Sequence, residues 1–131
     1  MTGKDLLQKA KEARELAYAP YSNFKVGAAL ISEDGKIFTG CNIENAAYGP
    51  SNCAERTAIF KAVSEGVRSF SALAVIGDTD GPISPCGVCR QVMAEFFKPD
   101  TPVFLGNLHG ACVETTLEKI LPGAFTSDDL K

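Results

Sequence analysis

The chain offers three cysteines and one glutamate at two places that read as helix starts, Cys53-Ala54-Glu55-Arg56 and Pro85-Cys86-Gly87-Val88-Cys89-Arg90. No other feature constrains the fold as much, because ligands so far apart in sequence serve one ion only if the two starts converge. Thiolates are soft ligands that suit zinc, and a Cys-x-x-Cys pair clamps one ion from a single turn. A structural zinc site closes with four protein ligands, whereas a catalytic one keeps a position open for water. Cys53, Cys86 and Cys89, with a carboxylate two residues after Cys53, fit the open case. Glu55 then stands beside that water as a general base, not as a ligand. Unpaired N–H groups and the helix dipole at both starts favour anions, which eases the step from thiol to thiolate.

Plainer readings stand beside this one. Cys86 and Cys89 alone resemble a redox pair, which leaves Cys53 and Glu55 without a task. Asn52 and Glu55 alone resemble a helix-capping pair. His109, the sole histidine, would turn the three cysteines into a closed Cys3His structural site. Cys41 and Cys112 end or lie in strands and read as buried thiols.

Length and charge narrow the class. The 131 residues suit one domain with one core, spanning 1–131. A net charge of −3, with no basic run, gives nucleic acid no bulk attraction. No apolar run is long enough to span a membrane, and Thr2-Gly3-Lys4-Asp5 leads into an amphipathic helix rather than a signal peptide. The five cysteines are an odd count without a secretory signal, so a reducing, cytoplasmic setting with metal ligands or inert thiols is expected.

Helical spacing runs over residues 4–18, with Leu6, Leu7, Ala10, Ala13, Leu16 and Ala17 on one side and Pro20 beyond. Thr2 with Asp5 reads as a capping pair. Apolar runs Phe24–Ile31 and Lys36–Cys41 flank Ser32-Glu33-Asp34-Gly35, a hairpin signal. Asn42–Asn52 reads as a loop over a site. Cys53–Glu65 reads as a helix, and Phe70–Ile76 as a strand buried on both faces. Ser84 reads as an N-cap with Pro85 at the first position of a helix reaching Phe97. Val103–Leu105 and Ala111–Thr115 read as short strands, Leu117–Leu121 as a short helix, and the tail as loop. Strand–helix–strand order in the middle implies a parallel pair, to which the first hairpin adds an antiparallel edge. The expected product is an α/β fold, one mixed five-stranded sheet between helix layers in a three-layer α/β/α sandwich.

The cysteine blocks also carry a resemblance. Zinc deaminases share a His-x-Glu and a Pro-Cys-x-x-Cys, with His/Cys/Cys or three-Cys zinc and a Glu that is not a ligand. Cys53-x-Glu55 stands here where that pattern has His-x-Glu. The chain therefore resembles the cytidine deaminases that act on free nucleosides, in their small homotetrameric branch. The likeness runs from about Tyr18 to Phe125. It rests on Phe24-Lys-Val-Gly-Ala-Ala29, Asn42-Ile-Glu-Asn-Ala-Ala-Tyr48, Asn52-Cys-Ala-Glu-Arg-Thr-Ala58, Ser84-Pro-Cys-Gly-Val-Cys-Arg-Gln-Val92 and Leu121-Pro-Gly-Ala-Phe125.

The resemblance implies hydrolytic deamination of cytidine and deoxycytidine in pyrimidine salvage, with one Zn²⁺ per subunit. It implies zinc on Cys53, Cys86 and Cys89, with Glu55 moving protons. Three thiolates overcompensate Zn²⁺ by one charge, and Arg56 next to Glu55 would offset it. Asn42 and Glu44 would hold the ribose 3′-hydroxyl, and a carboxylate there would repel a phosphate. Phe24 would pack against the base, and the Ala54 backbone would read its edge. Tyr48 and Phe125 would come from neighbouring subunits of a homotetramer with shared sites. Arg90 reads as a structural residue. The competing readings are deamination of a modified cytosine nucleoside, as by blasticidin-type deaminases, and a structural zinc-binding interaction module.

Overall fold

The computed structural model describes residues 1–130. A capping box opens α1 (Gly3–Arg14): the Thr2 hydroxyl accepts from the Asp5 N–H and the Asp5 carboxylate accepts from the Thr2 N–H. The helix stops four residues short of the periodic pattern. Its continuation is taken by a tertiary bridge, in which the Tyr18 N–H donates to the Asn42 carbonyl and the Glu44 N–H to the Tyr18 carbonyl. Leu16 is left 81% exposed, so helical spacing there had no core behind it.

The hairpin β1 (Val26–Ser32) and β2 (Ile37–Cys41) turns through Gly35 at φ +91°, a left-handed conformation in which a side chain would be strained. Then follow α2 (Ala54–Ser64), β3 (Phe70–Gly77), α3 (Gly87–Phe96), β4 (Pro102–Asn107), β5 (Cys112–Thr116) and α4 (Leu117–Ile120). Ser127–Leu130, read as loop, is a single 3-10 turn. The sheet order is β2-β1-β3-β4-β5, parallel between β3 and β4 and antiparallel elsewhere. The expected mixed five-stranded sheet, the hairpin edge and the parallel pair are all present.

Strand alternation distributes the core. Ala29, Ala74 and Ile76 face α1 and bury Leu6 and Ala10. Ala28, Leu30, Leu73 and Val75 face the other way, against Ala58, Ile59, Ala62 and Met93 of α2 and α3. Helices thus cover both faces of the sheet. Gly40 sets how close α2 sits to β2: a Cβ there would lie 2.5 Å from the Ala58 nitrogen and 2.6 Å from the Ala54 carbonyl oxygen. That contact seats the first turn of α2 against the sheet.

Two further expectations fail here. The N-cap of α3 is Cys86, not Ser84, and the helix begins at Gly87. The Cys86 sulfur accepts from the Cys89 N–H at 3.5 Å, so a thiol takes the capping place and Pro85 lies outside the helix. Cys112 is exposed and Cys41 half-buried, not buried thiols. β5 is an edge strand, and Cys112, Val113 and Glu114 all face solvent.

Candidate active site

The two helix starts converge. Cys53 caps α2 in extended conformation, and Cys86 caps α3 in the same way. The Cys53 sulfur lies 3.7 Å from that of Cys86, which lies 3.3 Å from that of Cys89. All three sulfurs fall within 4.8 Å of one another. A tetrahedral zinc ion with bonds of about 2.3 Å needs sulfurs roughly 3.8 Å apart, so the set fits the ion with small adjustment. The redox-pair reading of Cys86 and Cys89 loses ground, because Cys53 joins them as a third member. The closed Cys3His alternative also fails: the His109 Nε2 sits 3.0 Å from an Asp78 carboxylate oxygen, on the surface. Asn52 does not cap α2; its amide donates to the Thr57 hydroxyl at 3.2 Å.

Charge is managed inside the cluster. The Arg56 Nη2 donates to the Cys53 sulfur at 3.3 Å. Hydrogen bonding from Cys89 lowers the pKa of the Cys53 thiol to about 5, and Arg56 adds to the drop. Cys89 shifts the opposite way: it keeps the proton it shares with Cys53, and burial adds to the rise. The cluster therefore favours the thiolate form of Cys53, the form in which cysteine ligates a soft cation. Arg56 Nε is buried and makes no hydrogen bond among the described residues.

Glu55 lies in the first turn of α2 and is only 4% exposed. Burial pushes its carboxyl up, and the Cys53 charge pushes the same way. A carboxylate raised in this way is suited to taking and giving protons near neutral pH.

A cavity of about 350 Å³ opens beside the cluster. Cys53, Ala54, Glu55 and Cys86 form its floor, and Phe24, Asn42 and Glu44 line it as well. Seven expected residues thus share one space with a predominantly apolar wall. Asn42 is anchored at both ends, its Oδ1 accepting from the Val26 N–H at 2.9 Å and its Nδ2 donating to the Phe24 carbonyl at 2.7 Å. Glu44 accepts from the Tyr21 and Ser22 N–H groups at 3.0 Å each, and from the Ser22 hydroxyl. Those bonds hold its carboxyl below the usual range, with the Ser22 hydroxyl first among them.

Sequence reasoning missed Ser22, Thr79, Ile83 and Ser84 as lining residues. Ser22 had a signal, standing two residues before Phe24. Its hydroxyl also accepts from the Phe24 N–H at 3.0 Å, so it ties the aromatic wall to Glu44. Tyr48 and Phe125 stay outside this cavity. Tyr48, at φ +61°, lines an adjoining pocket of about 260 Å³ that shares Ser22 and Glu44 with it. Phe125 is 59% exposed, and its carbonyl accepts from Gln91 Nε2 at 2.8 Å.

Residues 2–105 match the family model of the cytidine and deoxycytidylate deaminase zinc-binding region. The chain belongs to the cytidine and deoxycytidylate deaminase family. It is a deaminase, hence a hydrolase. A cytidine deaminase from Sporosarcina psychrophila is 63% identical over 130 residues, covering 99% of this chain and 96% of that protein. One from Halalkalibacterium halodurans is 58% identical, covering 95% of each. The 1.6 Å crystal structure of cytidine deaminase from Burkholderia pseudomallei superposes with a TM-score of 0.93 at 58% identity, covering 95% of this chain and all of that one. Among the described residues of this deaminase, no helix is long and apolar enough to cross a membrane.

Proposed function

We propose that the enzyme hydrolyses the C4–N bond of cytidine and deoxycytidine, giving uridine or deoxyuridine and ammonia. One observation carries this reading: three thiols, a buried glutamate and a nucleoside-sized cavity meet at the two helix starts. Cys53, Cys86 and Cys89 would hold one zinc ion per chain, leaving a position open. Bound there, zinc lowers the pKa of water toward about 7 and so supplies a nucleophile at neutral pH.

The chain's own residues do the rest. Glu55 takes a proton from the attacking water and gives it to N3 of the base. Oxygen bonds to C4; Glu55 then carries the remaining hydroxyl proton to the amino group, the C4–N bond breaks and ammonia leaves. One water is consumed and one ammonia released, so atoms and charge balance. Phe24 packs the base, and the Ala54 backbone at the start of α2 reads its edge. Asn42 and Glu44 hold the ribose 3′-hydroxyl, and the negative charge of Glu44 disfavours a 3′-phosphate. Arg56 offsets the excess charge of three thiolates.

Three further assignments belong to the same reading. The chain works as one domain in a homotetramer, Tyr48 and Phe125 serve neighbouring sites, and the enzyme recovers pyrimidine nucleosides in the cytoplasm. Their support is the resemblance of the five sequence blocks and the exposure of both aromatics.

An absorbance assay at the cytosine band tests the central claim on the purified, zinc-loaded chain. Turnover of cytidine and deoxycytidine is expected, with loss on chelation and recovery on adding zinc. Turnover of blasticidin S without turnover of cytidine would favour the modified-nucleoside reading. Bound zinc with neither activity would overturn the catalytic one.

A further inference from the structure

Arg90 follows the ligand Cys89 directly, yet none of its hydrogen bonds goes to sulfur. Nε donates to the Pro85 carbonyl at 2.9 Å, Nη2 to the Ser84 hydroxyl at 2.6 Å and Nη1 to the Ile120 carbonyl at 2.7 Å. Pro85 is the residue before Cys86, so Nε fixes the peptide that aims the Cys86 sulfur. The Arg90 N–H adds a bond to the Cys86 carbonyl at 3.1 Å. The third acceptor is remote in sequence. Ile120 ends α4, and a carbonyl at a helix end lacks an intrahelical partner, which Arg90 supplies. The neighbouring side chain repeats the pattern, since Gln91 Nε2 holds the Phe125 carbonyl. Consecutive residues of α3 thus fasten the segment Leu121–Ala124 at both of its ends.

We propose that Arg90 is a positioning residue that locks the Ser84–Cys86 turn to the C-terminal arm, so that the two keep their geometry only together. The planar fork of a guanidinium suits this task, because it meets three fixed oxygens in three directions. A lysine carries the charge but only one nitrogen. The role differs from that of Arg56: Arg56 faces the sulfurs and acts on charge, whereas Arg90 faces oxygens and acts on direction. Residues that orient metal ligands from behind typically change metal affinity about 10–100-fold when removed. The inference rests on the zinc-binding reading of the three thiols.

The test uses the full chain, loaded with zinc, and reads zinc release to a chromogenic chelator together with hydrogen exchange of residues 121–130. Arg90→Ala is expected to speed zinc release about 10–100-fold and to raise exchange in the arm. Its cobalt-substituted form should show shifted ligand-field bands. Arg90→Lys should recover only part of either property. Gln91→Ala, which frees the Phe125 carbonyl but leaves the Arg90 bonds, should raise exchange near residue 125 and leave zinc release unchanged. Ser84→Ala removes one acceptor and gives the same readouts if Arg90→Ala does not fold; faster zinc release with a shifted cobalt spectrum is expected. Parent-like zinc release in Arg90→Ala and Ser84→Ala overturns the proposal. So does faster release with an unaltered arm in Arg90→Ala, or equal zinc loss in Gln91→Ala. A parent chain that retains no zinc removes the zinc reading itself, and this inference with it.

Discussion

The Arg56 guanidinium donates to the Cys53 sulfur across 3.3 Å, while its own Nε stays buried without a partner among the described residues. A charge placed so close to one of the three sulfurs acts on the whole cluster. Removing it leaves more negative charge on the metal site, which weakens acidification of water there. Arg56→Gln should therefore lower kcat/KM near neutral pH and move the rising limb of its pH profile to higher pH. A profile that keeps its midpoint while the amplitude falls would make Arg56 a packing residue.

Glu55 stands between those two residues in the chain, buried in the same helix start. Its proposed task is proton transfer, which contributes roughly 10²–10⁴-fold to rate. Glu55→Ala should lose at least that much turnover and still bind zinc, with thermal unfolding close to the parent. Zinc analysis of the purified variant decides the matter. If the metal is lost together with the activity, Glu55 is a ligand and the open-site chemistry fails.

How far the sequence carried can be judged on these residues. The thiol triplet was legible because ligand type and local spacing point to a soft cation whatever surrounds them, and the structure brings the three sulfurs together beside the buried Glu55. Asn42 and Glu44 were named for their substrate role through resemblance. Their anchoring of Val26, Phe24, Tyr21 and Ser22 depends on contacts across 16–23 residues of chain, which no local pattern encodes. The first helix was read too long because Leu16 and Ala17 continue its period, and the bridge of Tyr18 to Asn42 outweighs that periodicity. Ser84 was taken for an N-cap on propensity. A cysteine sulfur fills that place, and the Ser84 hydroxyl receives Arg90 instead. The bond from Arg90 to Ile120 spans 30 residues and had no sequence signal.

Ser22 supplies a prediction about pH. Its hydroxyl and N–H hold Glu44 ionised below the ordinary carboxylate range. A depressed pKa means that the charged form persists as pH falls, so substrate binding should weaken only at pH values below that range. Ser22→Ala removes the hydroxyl from Glu44 and from the Phe24 N–H together. KM for cytidine should rise severalfold with kcat nearly kept, and the acid-side rise in KM should begin at a higher pH. Kinetics from below the ordinary carboxylate range up to neutral pH test both points. A KM identical to the parent at every pH would separate Ser22 from nucleoside binding.

The same carboxylate should discriminate against charge on the ribose. Cytidine should have a far higher kcat/KM than its 3′-monophosphate, because like charges would meet at Glu44. Glu44→Gln removes the repulsion and should narrow that ratio, although it weakens cytidine itself. If the ratio is the same in parent and variant, Glu44 does not face the 3′ position.

Phe125 lies exposed on an arm fastened to α3 by Gln91, outside the cavity that its own chain forms. An isolated exposed phenylalanine needs no explanation. One proposed to cover a neighbour's cavity should act in trans, and mixing two inactive proteins tests this. One protein carries Glu55→Ala with Phe125 intact, and the other carries Phe125→Ala with Glu55 intact. After dissociation and random reassembly, about a quarter of the sites should combine Glu55 from the second chain with Phe125 from the first. Those sites are whole, so activity should rise well above that of either parent variant. A Phe125 that served its own chain would leave no mixed site whole, and nothing would be regained. The Phe125→Ala variant must itself be severely impaired for the rise to appear. Full activity in that variant removes Phe125 from the site and ends the shared-site proposal at this position.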